Sequence, residues 1–215
     1  HVNTVPMMEA IIDAKKQGLP ITCQVAPHHL LLHSGCCHRM VKPPIQDKRQ
    51  PLENYMEWID CFATDHAPHS STESKCPGYP GLEVALSLML RYGIDIVKEK
   101  MYENVCSIFG VEREDNTYIE LSMKRWKVDS QKMFSKSKWS PYDGMELMGV
   151  VNKVVIRDQL VYIDRKYLGG EVKNVDVKYE DILKIDKEKE DTDIQEEEEG
   201  DSDEKEYKWK HRDIV

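Results

Sequence analysis

Apolar Met8, Ile11 and Ile12 fall on one face of residues 6–17, which predicts an amphipathic helix with Pro6 in its first turn and Gly18 as its stop. Residues 21–26 follow as a short apolar-rich run and read as a strand. Residues 52–59 repeat the helical pattern. The run Cys61-Phe62-Ala63-Thr64 then reads as a second strand, ending on the polar group Asp65-His66-Ala67-Pro68-His69. Beyond the loop Lys75-Cys76-Pro77-Gly78-Tyr79-Pro80-Gly81, residues 82–91 and 94–109 read as two helices closed by Gly93 and Gly110. Helix and buried strand alternating over residues 1–110 predict parallel α/β packing. From Thr117 the period changes: residues 118–121, 148–156 and 160–163 are β-rich, with Arg157-Asp158-Gln159 as a hairpin connection.

Charge separates a third region. The chain has 215 residues, a formal net charge of −9, 40% hydrophobic and 32% charged residues. Residues 180–206 hold 15 acidic and 4 basic side chains, so the remainder sums to about +2. With so few apolar groups to offset the entropy of ordering, residues 180–215 read as a disordered acidic linker or tail; an acidic interaction segment for a basic partner is the alternative. The rest is enough for one core or for a piece of a larger domain, since a whole TIM barrel takes about 250 residues. No secretory signal or membrane span is legible, no repeat is present, and a cytoplasmic protein is expected.

Cys23, Cys36, Cys37, Cys61, Cys76 and Cys106 form no C-x-x-C pair and read as reduced thiols. The group Cys36-Cys37-His38 is a poor zinc motif, because vicinal cysteines rarely converge on one metal and no second pair lies nearby. Basic residues near Lys124-Arg125 and Lys136-Ser137-Lys138 alternate with Trp126, Phe134 and Trp139. A charge near +2 is nonetheless too small to favour nucleic acid as a partner. Glycine-rich phosphate loops, the nucleophile elbow and H-E-x-x-H are absent from the sequence.

Histidines mark the candidate site. His1, His28, His29, His33, His38, His66 and His69 all fall in the first 69 residues, together with Asp65. Asp65 follows an apolar strand. At a barrel strand's carboxyl end such a carboxylate reads as a metal ligand or general base, and His69, beyond Pro68, could turn back over the same pocket. The competing reading is a turn with a capping Asp and two surface histidines. His1 is open between a strand-end ligand and a surface or tag residue. His28-His29 is expected to start a helix, with one imidazole packed and one solvated.

The ordered set His1-Val2-Asn3-Thr4, Ala14-Lys15, Gly18, Thr22-Cys23-Gln24-Val25-Ala26-Pro27-His28-His29-Leu30, Ala63-Thr64-Asp65-His66-Ala67-Pro68-His69 and Pro77-Gly78-Tyr79-Pro80-Gly81-Leu82-Glu83 resembles dihydroorotase, an amidohydrolase. The likeness is to the dihydroorotase domain of animal-type multifunctional proteins that also carry carbamoyl-phosphate synthetase and aspartate transcarbamoylase. It extends through Phe134-Ser135-Lys136-Ser137-Lys138-Trp139-Ser140-Pro141-Tyr142-Asp143-Gly144 and Val154-Val155-Ile156-Arg157 to about Tyr179. The resemblance implies the C-terminal half of a TIM-barrel amidohydrolase. Its parts would be a partial barrel over residues 1–116, a small β subdomain over 117–179 and the acidic tail over 180–215.

The resemblance also implies a chemistry, the zinc-dependent interconversion of N-carbamoyl-L-aspartate and dihydroorotate, with two zinc ions in the complete domain and a third in the animal type. Asp65 would be the catalytic and metal-binding aspartate and His1 a histidine ligand of the second zinc. His69 would contact the substrate carboxylate and help hold the extra zinc. Backbone at Pro77 and Gly78 would border the substrate ring, and Lys42 stands where this branch has a substrate-binding arginine. Gln24 stands where an extra-zinc glutamate is usual, and Val84 where threonine is usual. The family's H-x-H pair, carboxylated lysine and first single histidine lie upstream of the His1 strand, so these 215 residues alone are expected to be inactive. A homo-oligomer and a transcarbamoylase domain on the same polypeptide are the implied partners. The competing functions are a non-catalytic dihydroorotase-like assembly subunit and, more remotely, an acidic-tailed binding module.

Overall fold

A computed structural model describes residues 1–36, 40–46, 51–69 and 76–169, together with the backbone of Glu206–Trp209. The chain divides into two interleaved compact units: His1–Met101 with Lys127–Leu147, and Tyr102–Trp126 with the chain from Met148 onward. The change of pattern at Thr117 therefore falls inside the second unit.

In the first unit, helix α1 spans Val5–Lys16, as its periodicity predicts. Thr4 caps it, with Oγ1 accepting from Met7 N at 3.4 Å, and Lys15 and Lys16 occupy the last turn, where their charge complements the helix dipole. Met8 and Ile12 are buried on its inner face, worth roughly 1.5–3 kcal/mol each relative to exposure. Strands β1 (Gln24–Val25) and β2 (Cys61–Phe62) pair in parallel, Gln24 opposite Cys61 and Val25 opposite Phe62. On the other side of β1, Val2 N donates to Gln24 O at 2.8 Å, so three successive segments run side by side. The regular strands are shorter than the apolar runs that announced them. Helix α2 (Pro27–Leu31) begins directly after β1, with Pro27 in its first turn.

Asp60, just ahead of β2, gathers these pieces. Its carboxylate accepts from Lys15 Nζ at 2.7 and 2.6 Å and from Cys23 N at 2.6 Å, which fastens the end of α1 to the entrance of both strands. Residues 52–59, expected as an α-helix, instead form a 3₁₀ segment over Leu52–Trp58 that kinks at Tyr55. Only Leu52 of that segment is buried, so the tighter helix suffices to bring one side chain inward.

Helix α3 covers Leu82–Met89 and continues as a 3₁₀ turn to Tyr92. The single helix expected over residues 94–109 is three pieces: α4 (Ile94–Lys98), a π-turn (Glu99–Glu103) and α5 (Asn104–Phe109). The wider turn carries Lys100 inward. Its side chain is 2% exposed, and Nζ donates to Ile59 O at 2.8 Å and to Glu99 Oε1 at 3.0 Å.

In the second unit a sheet has the order β6-β5-β4-β3-β7, with β3 at Tyr118–Lys127, β4 at Glu146–Ile156, β5 at Gln159–Ile163, β6 at Lys166–Tyr167 and β7 at Glu206–Trp209. Strands β4 and β5 form the expected hairpin through Arg157 and Asp158, whose φ of +49° and +63° suit a two-residue turn matching strand twist. Arg157 Nε donates to both Glu114 carboxylate oxygens at 2.8 and 3.0 Å, and Thr117 Oγ1 accepts from Arg157 N. Strand β7 pairs antiparallel with β3, Leu121 opposite Tyr207. That stretch of the expected disordered tail is therefore a strand, and the rest of residues 180–215 lies outside the described residues. Among the described residues no helix is long and apolar enough to cross a membrane.

Candidate active site

Asp65 stands three residues beyond β2. Ala63 N still donates to Val25 O at 3.2 Å, so parallel pairing persists to within two residues of it. There the chain turns, with Asp65 at φ +48° and Thr64 Oγ1 accepting from His66 N at 3.3 Å. The turn aims the carboxylate at the ends of the two neighbouring strands. Oδ1 lies 3.4 Å from His1 Nε2, ahead of the segment that pairs with β1, and Oδ2 lies 3.6 Å from His28 Nε2, in the first turn of α2 after β1. His1, beside β1, His28 after β1 and Asp65 after β2 thus converge on one point, two of them just beyond the carboxyl ends of parallel strands.

Both imidazoles of the His28-His29 pair are buried, at 2% and 5% exposure, contrary to the expectation that one faces solvent. The reason is tertiary. His29 Nε2 lies 3.0 Å from Pro43 O; a carbonyl only accepts, so that nitrogen carries the proton. His28 meets His29 edge-on at 4.3 Å between centroids and stands perpendicular to Tyr79 at 5.4 Å. Trp139 abuts Tyr79 at 6.1 Å. Burial, then the His29 charge, pushes the His28 pKa down to about 3, and burial lowers His29 against the Pro43 hydrogen bond. Burial also raises the Asp65 carboxyl, with the His29 charge opposing. The site is a part-buried carboxylate, 26% exposed, beside imidazole rings of which His28 and His29 are buried.

The other candidates are spread around it. His69 turns its ring onto Pro77, with Nε2 donating to Pro77 O at 3.1 Å rather than reaching Asp65 or His1, while its own carbonyl accepts from Trp139 Nε1 at 3.0 Å. Gly78 is buried beneath this loop, and a Cβ there would stand 2.5 Å from Ala67 Cβ and 2.7 Å from Ala67 O. A parallel bridge between His66 and Tyr79 and the bond from Ala67 N to Tyr79 O bring the Asp65 turn and the Pro77-Gly78 segment together. Lys42 is exposed on a strap anchored by three contacts: Asn3 Nδ2 to Pro44 O at 2.9 Å, His29 to Pro43 O, and Gly78 N to Met40 O at 2.9 Å. Gln24 is half-buried in β1.

The capping role expected of this turn belongs to His66. Its Nδ1 accepts from Gly81 N and Leu82 N, both at 3.1 Å, at the start of α3. Sequence reasoning missed His28, Tyr79 and Trp139 as parts of the site. Only His28 carried a signal, a histidine immediately after a strand end.

His1 Nδ1, His28 Nε2 and His29 Nδ1 are buried without a hydrogen-bond partner among the described residues, which makes the polar face around Asp65 under-satisfied. No group of three His, Cys, Asp or Glu side chains there is arranged to hold a metal ion. His1 and Asp65 fit two positions of a zinc site, which takes about four ligands. His69 commits Nε2 to a carbonyl, and Cys37 and His38 of the Cys36-Cys37-His38 group lie outside the described residues.

No family model matches the sequence. Against known proteins, however, the multifunctional protein CAD of Squalus acanthias is 39% identical over 187 residues, covering 78% of this chain and 8% of that protein. The dihydroorotase of Thermococcus kodakarensis is 36% identical over 184 residues, covering 75% of this chain and 44% of that protein. The chain belongs to the dihydroorotase family. It spans under half the length of the curated dihydroorotases it matches.

Solved structures place this dihydroorotase-family chain in the amidohydrolase fold. A D-hydantoinase from Thermus sp. superposes with a TM-score of 0.72 at 21% identity, over 79% of this chain and 45% of that one. The inactive dihydroorotase-like domain of the Chaetomium thermophilum CAD-like multifunctional protein gives a TM-score of 0.59 at 23% identity, over 77% and 51%.

Proposed function

We propose that this chain is the C-terminal half of a TIM-barrel dihydroorotase within a longer cytoplasmic polypeptide that also carries an aspartate transcarbamoylase domain and self-associates. The reaction is the reversible hydrolysis of the cyclic amide of dihydroorotate to N-carbamoyl-L-aspartate, a step of pyrimidine biosynthesis. The observation that carries the reading is the part-buried Asp65 carboxylate at a strand end, flanked by His1 and His28.

In hydrolysis a C–O bond forms from water, the ring C–N bond breaks, and a proton moves from the water to the leaving nitrogen. On this reading Asp65, at the strand end between His1 and His28, carries that proton. His1 and Asp65 would hold zinc together with donors from residues beyond these 215. Zinc so held, two ions in the complete domain and a third in the animal type, would supply a hydroxide nucleophile near neutral pH. The Pro77-Gly78 backbone borders the substrate ring, His69 is held beside it, and Lys42 offers a point charge to the substrate carboxylate. On this reading the 215 residues alone are inactive, because among the described residues no three His, Cys, Asp or Glu side chains come together to hold a metal.

A second reading rests on Gln24 and Lys42, which replace a charged ligand by an amide and a forked cation by a point charge. It makes the domain a non-catalytic assembly element. Zinc analysis and dihydroorotate hydrolysis by the full-length gene product separate the two. About two zinc ions per chain and loss of turnover in Asp65→Asn support the enzyme, as two-metal hydrolysis requires. No zinc and no turnover in the wild type support the assembly element.

A further inference from the structure

We infer that His28 is a positioning residue for Asp65, its Nε2–H holding carboxylate oxygen Oδ2 while Oδ1 faces His1 and the reacting groups. This rests on the dihydroorotase reading for its catalytic meaning and on the structure alone for its geometry.

His28 Nε2 is buried without a hydrogen-bond partner among the described residues and lies 3.6 Å from Oδ2, a few tenths of an ångström beyond hydrogen-bond reach. Two rings pack against it. His29 lies edge-on against it, Tyr79 stands perpendicular to it, and each of these is itself held: His29 by Pro43 O at 3.0 Å, and Tyr79 by Trp139, whose indole N–H donates to His69 O. Asp65 is equally constrained, because its backbone sits at φ +48° at the end of a paired segment. The two oxygens consequently meet different partners, His1 on Oδ1 and His28 on Oδ2.

Histidine supplies a ring that packs against Tyr79 and His29 and an N–H at its far edge, a combination that phenylalanine reproduces in shape only.

The test uses the full-length protein. His28→Phe keeps the aromatic packing and removes the donor; His28→Gln restores an N–H. We expect His28→Phe to lower kcat for dihydroorotate by about 10–100-fold with KM within about twofold and zinc content unchanged, and His28→Gln to recover most of the loss. An unchanged kcat in a folded His28→Phe overturns the inference, as does a loss of zinc or of folding common to both variants.

A second readout needs neither activity nor a variant at position 28. The ¹⁵N ring resonances of His28 in the metal-free wild type should report the Nε2–H tautomer, and Asp65→Asn should shift Nε2. An Nδ1–H tautomer, or an Nε2 signal indifferent to Asp65→Asn, refutes the positioning role. A wild-type protein that does not turn over dihydroorotate refutes the enzymatic reading instead, and the ring resonances then decide the geometry.

Discussion

Replacing Gly78 by alanine tests the packing that joins the Asp65 turn to the substrate-side loop. The new Cβ would stand 2.5 Å from Ala67 Cβ, 2.7 Å from Ala67 O and 3.2 Å from His69 Nε2. Neither Ala67 atom belongs to a flexible side chain, and Ala67 N is tied to Tyr79 O at 2.9 Å, so the neighbour cannot move aside without breaking the bridge. Gly78 also sits at φ +145°, where a non-glycine residue costs about 1–3 kcal/mol. Overpacking adds roughly 1–3 kcal/mol, so the expected local penalty is about 2–6 kcal/mol.

Gly18→Ala is the control: φ is +76° with nothing within 4 Å of the added carbon, and the cost is about 1–2 kcal/mol from backbone conformation alone. Amide hydrogen exchange at Ala67 and Gly78, whose N–H groups donate to Tyr79 O and Met40 O, reads the difference directly. At about 1.4 kcal/mol per tenfold, Gly78→Ala should cut protection there by about 30-fold or more, and Gly18→Ala by no more than about 30-fold, with about 5-fold at its lower end. Protection within twofold of wild type in Gly78→Ala would show that the loop yields, and the account of a rigid junction would be wrong.

Lys100→Met leaves Ile59 O without its buried donor and should destabilise the first unit by about 1–3 kcal/mol, measured as a lower denaturation midpoint. Arg165, at φ +62° beside Asp164 at φ +45° in the β5–β6 turn, is expected to gain about 0.5–1 kcal/mol on change to glycine; an unchanged or lower melting temperature would contradict this. His28, with its folded pKa pushed down to about 3 from an ordinary 6.5, favours the folded state fully above pH 6.5. That contribution is lost progressively as pH falls toward 3, because the unfolded chain binds the proton first. The acid-side slope of stability in metal-free protein should therefore flatten in His28→Phe, and identical slopes would show that the ring is not buried neutral.

Much of this architecture could be read along the chain. Met8 and Ile12 with Pro6 and Gly18 mark α1 at both ends, because amphipathic period and helix-end signals act within a few residues. The β4–β5 hairpin was legible at Arg157-Asp158 for the same reason. The strand-end position of Asp65 was also local, set by the apolar run immediately before it.

Other features depended on partners far away in sequence. Strands β1 and β2 are two residues long because pairing, rather than hydrophobicity, decides where a ladder stops. The π-turn at Glu99–Glu103 accompanies Lys100 reaching Ile59, 41 residues away. Both members of the His28-His29 pair are buried because Tyr79, Trp139 and the Pro43 carbonyl close around them, and nothing within α2 encodes those neighbours. The approach of His28 to Asp65 follows from the same cause. A sequence names the residue types at each strand end, but which two ends face each other across a few ångströms is settled only when parallel strands align and their loops pack. That is where the chemistry of this chain is decided.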